Sequence, residues 1–415
     1  MHNKEDYKIC IVGLGYVGLP LAARFALKGF GVIGFDIKKE RINQLINQVD
    51  INNDISDEKL EILVKNSKLT SKIDEIKDSN IYIITVPTPI NEDKTPDLGP
   101  LIASSELVGS IIKKGSIIIY ESTVYPGVTD ETCTPILEEK SSLIFNKEFS
   151  TGYSPERIVP GDKVSTIEKI KKIVSASNEE ALKIISFLYS SIIDAGIYEA
   201  SSIKVAEAAK VTENIQRDVN IALINEMHQL YSSIGINTNE VIDAAATKWN
   251  FMKLTPGMVG GHCISIDPYY LMHKSLMSGY TPYLMRAARK INNEMDRWVL
   301  NDFIKTMEKK NINIETSVIT IFGYTFKENC SDTRNTKIKN LILSMKEYGI
   351  KVNLWDPLIL ESDHNELNNL GIETLKSCPK NPQVAFLCVY HNEFIEYFRN
   401  FKGILYDYKN PTRDR

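Results

Sequence analysis

The chain has 415 residues, 43% hydrophobic and 25% charged, which is longer than one hydrophobic core serves, so two or three domains are expected. A formal net charge of -4 gives no general attraction for nucleic acid or for an anionic membrane, and neither is expected as a partner. The polar start predicts no signal peptide, and no apolar run has the length of a bilayer span. Cys10, Cys133, Cys263, Cys330, Cys378 and Cys388 lack paired spacing. No disulfide framework and no metal site is therefore expected, and a reducing cytoplasm is the expected compartment.

In chain order, 8–12 reads as a strand, Gly13-Leu14-Gly15-Tyr16-Val17-Gly18 as a glycine turn, and 19–28 as an alanine- and leucine-rich helix. The next strand, 31–35, ends at Asp36, where a dinucleotide-binding unit places its ribose-binding acid. In such a unit Gly13 permits the tight turn, Gly15 lets the backbone approach a pyrophosphate, and Gly18 allows close helix packing. The helix N-terminus favours the phosphate charge. Asp36 would accept bonds from ribose hydroxyls and repel a 2′-phosphate, which favours NAD over NADP. Arg41, five residues on, either meets the adenosine ribose or tolerates that phosphate.

Further strands are predicted over 81–86 and 116–120. Each feeds a proline-bearing loop, Val86-Pro87-Thr88-Pro89 and Glu121-Ser122-Thr123-Val124-Tyr125-Pro126-Gly127, at the end of a parallel sheet where ligand-binding loops sit. Ser154-Pro155-Glu156-Arg157 offers a carboxylate after another strand, suited to activating water. The fold class is α/β, doubly wound.

From about residue 200 the pattern becomes helical. Helices are predicted over 203–233 and 283–309; an apolar face on them would serve either as a dimer interface or as core within one chain. Lys210 and Asn214 stand four apart and share one helix face, where they would bond a developing alkoxide or hold a water. Gly260-Gly261-His262-Cys263 followed by Asp267-Pro268 places a thiol behind paired glycines. A thiol near a nicotinamide points to oxidation beyond an aldehyde, since hydride transfer alone needs no nucleophile. The last third alternates again, with strands at 318–322, 351–355 and 384–389 and a helix at 335–348.

These motifs, with Phe326-Lys327-Glu328-Asn329-Cys330-Ser331-Asp332-Thr333-Arg334, resemble the UDP-glucose/UDP-N-acetylhexosamine 6-dehydrogenase family over essentially the whole chain. The resemblance implies two Rossmann-like domains joined by a long central helical region: 1–200 binding NAD, 201–310 carrying the cysteine loop and dimerising, and 311–415 binding the UDP portion. It implies that Cys263 attacks a C6 aldehyde and passes through a thioester, that Lys210 stabilises oxyanions, and that Asn214 orients water or substrate. Asp267 and Glu156 would support proton transfer and hydrolysis, in an order left open. The implied cofactor set is Gly13, Gly15, Tyr16, Val17, Gly18, Asp36, Arg41, Thr88, Thr123 and Arg334. The implied substrate set is Glu156, Arg157, Lys210, Asn214, Gly260, His262 and Lys327.

His262 and Ser-Pro-Glu-Arg match the branch acting on N-acetylated sugars. Lys248-Trp249-Asn250-Phe251 is similar to the Vi-antigen-type enzymes, which oxidise UDP-N-acetylglucosamine or UDP-N-acetylgalactosamine. Val159-Pro160 replaces the Ala-Glu of UDP-glucose enzymes. The alternatives are UDP-N-acetylmannosamine or UDP-glucose as substrate, a two-electron hydroxyacid dehydrogenase, or a sensor without chemistry. The expected partners are a UDP-sugar and a second copy of the chain.

Overall fold

A computed structural model describes residues 3–52, 54–158, 166–261 and 263–410. The chain forms two compact units, Met1–Glu213 with Tyr269–Gly279, and Asn214–Pro268 with Tyr280–Arg415. The first is built on β1 (Lys8–Val12), β2 (Gly31–Phe35), β3 (Ser67–Thr70), β4 (Ile81–Ile84), β5 (Ser116–Tyr120), β6 (Phe149–Tyr153), β7 (Lys172–Ala176) and β8 (Ile197–Glu199). Their order is β3-β2-β1-β4-β5-β6-β7-β8, parallel except between β6 and β7. β4 and β5 are buried at every position, as expected of apolar strands covered on both faces. Leu19, Leu21, Ala22, Phe25 and Ala26 of the helix Gly18–Leu27 are buried and join Ile9, Ile11, Ile83 and Ile119 in one core. Each such Leu, Ile or Phe contributes about 1.5–3 kcal/mol when fully buried.

The second unit holds β9 (Val318–Phe322), β10 (Lys351–Trp355), β11 (Glu373–Thr374), β12 (Val384–Leu387) and β13 (Ile404–Asp407). The order β11-β10-β9-β12-β13 repeats the reversal seen between β1 and β4, where the crossover changes direction and a crevice opens at the strand ends. Met295, Val299, Phe303 and Met307 form the buried stripe of the helix Tyr283–Lys309. Phe303 stacks on Phe386 at 5.0 Å, so the apolar face of this helix is core within the chain. The helix Ile203–Ser233 begins in the first unit and ends in the second. The fold is thus two Rossmann-like α/β sheets with a long central helix, as the sequence predicts.

Some boundaries differ from expectation. The strand predicted over 81–86 stops at Ile84; beyond it the Thr85 hydroxyl donates to the carbonyls of Val12 (3.0 Å) and Gly13 (2.7 Å). The helix predicted from 335 starts at Lys337: Asn335 has φ 53, and Thr336 caps the helix by accepting from the Ile338 N–H at 3.2 Å. The strand predicted over 384–389 ends at Leu387. No helix among the described residues is long and apolar enough to cross a membrane.

Candidate functional site

In the first unit the glycine turn sits between β1 and its helix. Gly13 has φ +96, and a Cβ on Gly18 would lie 1.9 Å from the Gly13 carbonyl oxygen and 2.5 Å from Thr85 Oγ1. Both glycines are steric requirements of the turn. A Cβ on Gly15 would meet nothing within 4 Å, so the turn is open on the side where a pyrophosphate approaches. Asp36 accepts from the Leu14 N–H at 2.9 Å and from the Lys38 N–H at 2.9 Å, which fixes its carboxylate at the end of β2. These features fit a dinucleotide. Arg41 donates to the Leu14 carbonyl at 3.0 Å and pairs with Asp50 at 2.9 Å and Asp54 at 3.3 Å. Its charge is thus engaged inside the protein, which weighs against the phosphate-tolerating role. Tyr16, Thr88 and Thr123 are half-buried, and Val17 is buried.

Glu156 is buried, with one oxygen bonded to the Ile158 N–H and Oε2 meeting no partner among the described residues. Arg157 pairs with Glu213 at 2.7 Å and donates to the Lys171 carbonyl at 2.6 Å. Lys210 is buried on the long helix. Residues 159–165 lie outside the described residues, and Val159-Pro160 with them.

Two arrangements here are invisible in the sequence. Glu121, at the end of β5, is buried against Lys172 at 2.6 Å and bonded by the Tyr189 hydroxyl; burial raises its carboxyl, with Lys172 opposing. Glu207, one turn before Lys210, accepts from the N–H groups of Gly127 (2.5 Å) and Thr129 (3.0 Å). It anchors the loop that carries Thr123 to the helix that carries Lys210.

Burial pushes the Glu207 carboxyl up to about 7, against the pull of its two N–H donors. The folded chain therefore holds an extra proton between the unfolded value of 4.5 and about 7, and this contribution to stability is lost as pH rises through that window. Glu207→Gln is expected to remove about 3 kcal/mol of this pH dependence. Thermal melts across the window check it, and an unaltered slope in the variant would assign the dependence elsewhere.

In the second unit Cys263 is half-buried at the turn leading into the helix Asp267–Met277. Its carbonyl accepts from the N–H groups of Ile266 (3.0 Å) and Asp267 (2.8 Å). The buried Asp267 accepts from Asn214 Nδ2 at 2.5 Å, which joins two of the predicted residues directly. The paired glycines are needed for close approach. A Cβ on Gly260 would lie 2.8 Å from the Asn335 carbonyl oxygen, and one on Gly261, at φ +83, 2.9 Å from the Phe326 ring. His262 lies outside the described residues. Asn225 pairs with Gly257 through two 2.9 Å bonds and holds the segment that precedes the cysteine.

A cavity of about 350 Å³ in this unit is lined by Phe326, Lys327, Lys337, Tyr408 and Lys409. Three ammonium groups and one carboxylate, Glu328, which pairs with Lys409 at 3.6 Å, leave a net positive lining beside aromatic and aliphatic walls, which suits a ligand with a phosphate chain and a flat base. Lys327 lies 5.7 Å from the centroid of the Phe326 ring. Arg334 is exposed and pairs with Asp332 at 2.6 Å. Lys337, Tyr408 and Lys409 were not singled out by the motifs. Only Tyr408-Lys409, an aromatic beside a basic residue, carries a signal in the sequence, and a weak one.

Three family models cover most of the chain: the NAD binding domain of the UDP-glucose/GDP-mannose dehydrogenase family matches residues 7–193, its central domain 204–294 and its UDP binding domain 320–413. The chain is 48% identical over 417 residues to a UDP-N-acetyl-D-glucosamine 6-dehydrogenase of Salmonella typhi, with 99% of this chain and 97% of that protein covered. It is 45% identical to a Pseudomonas aeruginosa protein of the same name, covering 92% of this chain and 96% of the relative. Among solved structures, a UDP-D-ManNAc dehydrogenase from Pyrococcus horikoshii superposes with a TM-score of 0.84 at 31% identity, covering 93% of this chain and 90% of the other.

Proposed function

Because the chain belongs to the UDP-glucose/GDP-mannose dehydrogenase family, we propose that it oxidises the C6 hydroxyl of a UDP-N-acetylhexosamine, UDP-N-acetylglucosamine or UDP-N-acetylgalactosamine, to the uronic acid. The observation that carries this reading is the near full-length similarity to a relative named for UDP-N-acetyl-D-glucosamine. Bound NAD supplies hydride acceptance, twice per sugar. Gly13, Gly15 and Gly18 cradle its pyrophosphate, Asp36 bonds its ribose, and Tyr16, Val17, Arg41, Thr88, Thr123 and Arg334 complete the proposed cofactor contacts.

The Cys263 thiolate adds to the C6 aldehyde left by the first oxidation; loss of hydride from that hemithioacetal leaves a thioester. Water then attacks the thioester, the C–S bond breaks, and the thiol is regenerated with release of the carboxylate. Lys210 stabilises the oxyanions. Asn214 orients the water, and Glu156 and Asp267 move its proton. Arg157, Gly260, His262 and Lys327 are the remaining substrate contacts. In this reading 1–200 holds NAD, 201–310 carries the cysteine loop, and 311–415 holds UDP.

A homodimer is proposed through the central helical region, where Leu223, Leu230 and Ile234 are exposed. All six cysteines are unpaired, which suits a reducing cytoplasm. Supply of the uronic acid for a surface polysaccharide is the proposed role.

The test is NADH formed per sugar, with NAD in excess and UDP-N-acetylglucosamine, UDP-N-acetylgalactosamine, UDP-N-acetylmannosamine and UDP-glucose supplied separately. Two NADH per molecule of one of the first two is expected. One NADH would indicate a two-electron enzyme, none a sensor, and turnover of UDP-glucose alone a different branch.

A further inference from the structure

The wall of the lysine-lined cavity is formed in part by residues 325–328, within an irregular segment, 324–329, that follows β9. Irregular backbone costs about 1–2 kcal/mol per residue to order, so something must hold it. The holders are two fully buried side chains from neighbouring strand ends, Asp356 after β10 and His391 after β12. Asp356 Oδ2 accepts from the N–H groups of Tyr324 (2.6 Å) and Thr325 (3.2 Å), and Oδ1 from Leu358 N–H (2.8 Å). His391 Nδ1 accepts from the Asn329 N–H at 2.9 Å. An amide can only donate, so Nδ1 carries no proton and the ring's hydrogen is on Nε2. Nε2 faces Asp356 Oδ2 at 3.1 Å and Thr325 Oγ1 at 3.2 Å. Thr325 Oγ1 in turn donates to the Lys327 carbonyl at 2.9 Å.

We propose that Asp356 and His391 form a positioning pair for the phosphate-recognising segment, clamping 324–329 at both ends so that Lys327 is presented to the cavity before ligand arrives. The inference rests on the UDP-sugar reading of that cavity. Its physical content is preorganisation. With the clamp intact the segment's ordering has been met by folding, and without it the ligand must supply that ordering on binding. The deficit falls on ligand affinity, equally in ground and transition states, so it appears in KM and leaves kcat in place.

The test uses the full chain with His391→Leu, which removes the ring's contacts with Asn329, Asp356 and Thr325, and His391→Asn, whose amide oxygen retains an acceptor for the Asn329 N–H. Steady-state kinetics are read for the UDP-sugar and for NAD, and UDP binding by calorimetry. The leucine variant is expected to raise the UDP-sugar KM and the UDP Kd by about tenfold, with kcat and the NAD KM within about twofold of the parent, and the asparagine variant to recover part of the loss. Unchanged UDP affinity in the leucine variant overturns the inference, as does a parallel fall in all parameters. If the leucine variant does not fold, the asparagine variant must still show the KM split, and its absence there is equally fatal. Parent protein that binds no UDP would remove the nucleotide reading itself.

Discussion

Cys263→Ser is expected to lower steady-state uronate formation by about a thousandfold or more while leaving NAD affinity unaltered. The size follows from the chemistry. A serine hydroxyl is a far weaker nucleophile near neutral pH than a thiolate, and without the thioester the second oxidation has no acyl carrier. NAD binding is spared because the glycine turn and Asp36 belong to the first unit, whereas Cys263 belongs to the second. The measurement pairs uronate detection by mass spectrometry with NAD titration of the purified variant. Turnover near the parental rate would remove the thioester route and leave direct hydration of an aldehyde as the path to the acid.

Arg289→Met is expected to destabilise the protein by about 3–5 kcal/mol, because it strands a buried carboxylate. Arg289 Nη1 lies 2.6 Å from Asp218 Oδ1, with both side chains at most 3% exposed. Asn292 donates to the same carboxylate at 2.8 Å. Asn225 donates to Asn292 at 2.9 Å and to the Gly257 carbonyl at 2.9 Å, so the network reaches the backbone six residues before Cys263. A drop in Tm on the order of 10 °C is expected for a unit of this size. The double variant Arg289→Met/Asp218→Leu should regain most of the loss, since an apolar pair of similar volume has no charge to leave unpaired. If the single variant melts with the parent, the pair contributes nothing and the cysteine segment is held by other contacts.

Much of the nucleotide-binding architecture was legible because its signals are local. Strand, glycine turn, helix and Asp36 fall within one short stretch, and Gly18 answers to a contact made inside it, since a Cβ there would lie 1.9 Å from the Gly13 carbonyl oxygen. The two long helices run as predicted, Ile203–Ser233 and Tyr283–Lys309, since their apolar spacing repeats over many turns. Asn214 with Asp267 was legible as a set of motif residues, though not as a bonded pair. The second unit's helix starts at Lys337, two residues after the predicted position. The deciding feature is the left-handed backbone at Asn335, a conformation that asparagine tolerates but does not announce.

By itself, then, the sequence determined the α/β class, the doubly wound order implied by alternating strands and helices, and the motifs by which the chain resembles its family, because periodicity and turn chemistry act between near neighbours. Tertiary structure alone decided which polar side chains are held in the interior and by whom. Glu207 meets Gly127 eighty positions away, Lys172 meets Glu121 at fifty-one, Arg289 meets Asp218 at seventy-one, and His391 meets Asp356 at thirty-five. A carboxylate on a solvated helix face and one clamped onto two amides are the same letter in a chain. Only the crossover of strands and the packing of helices removes the water that made them equivalent, and with it the freedom to remain unpaired.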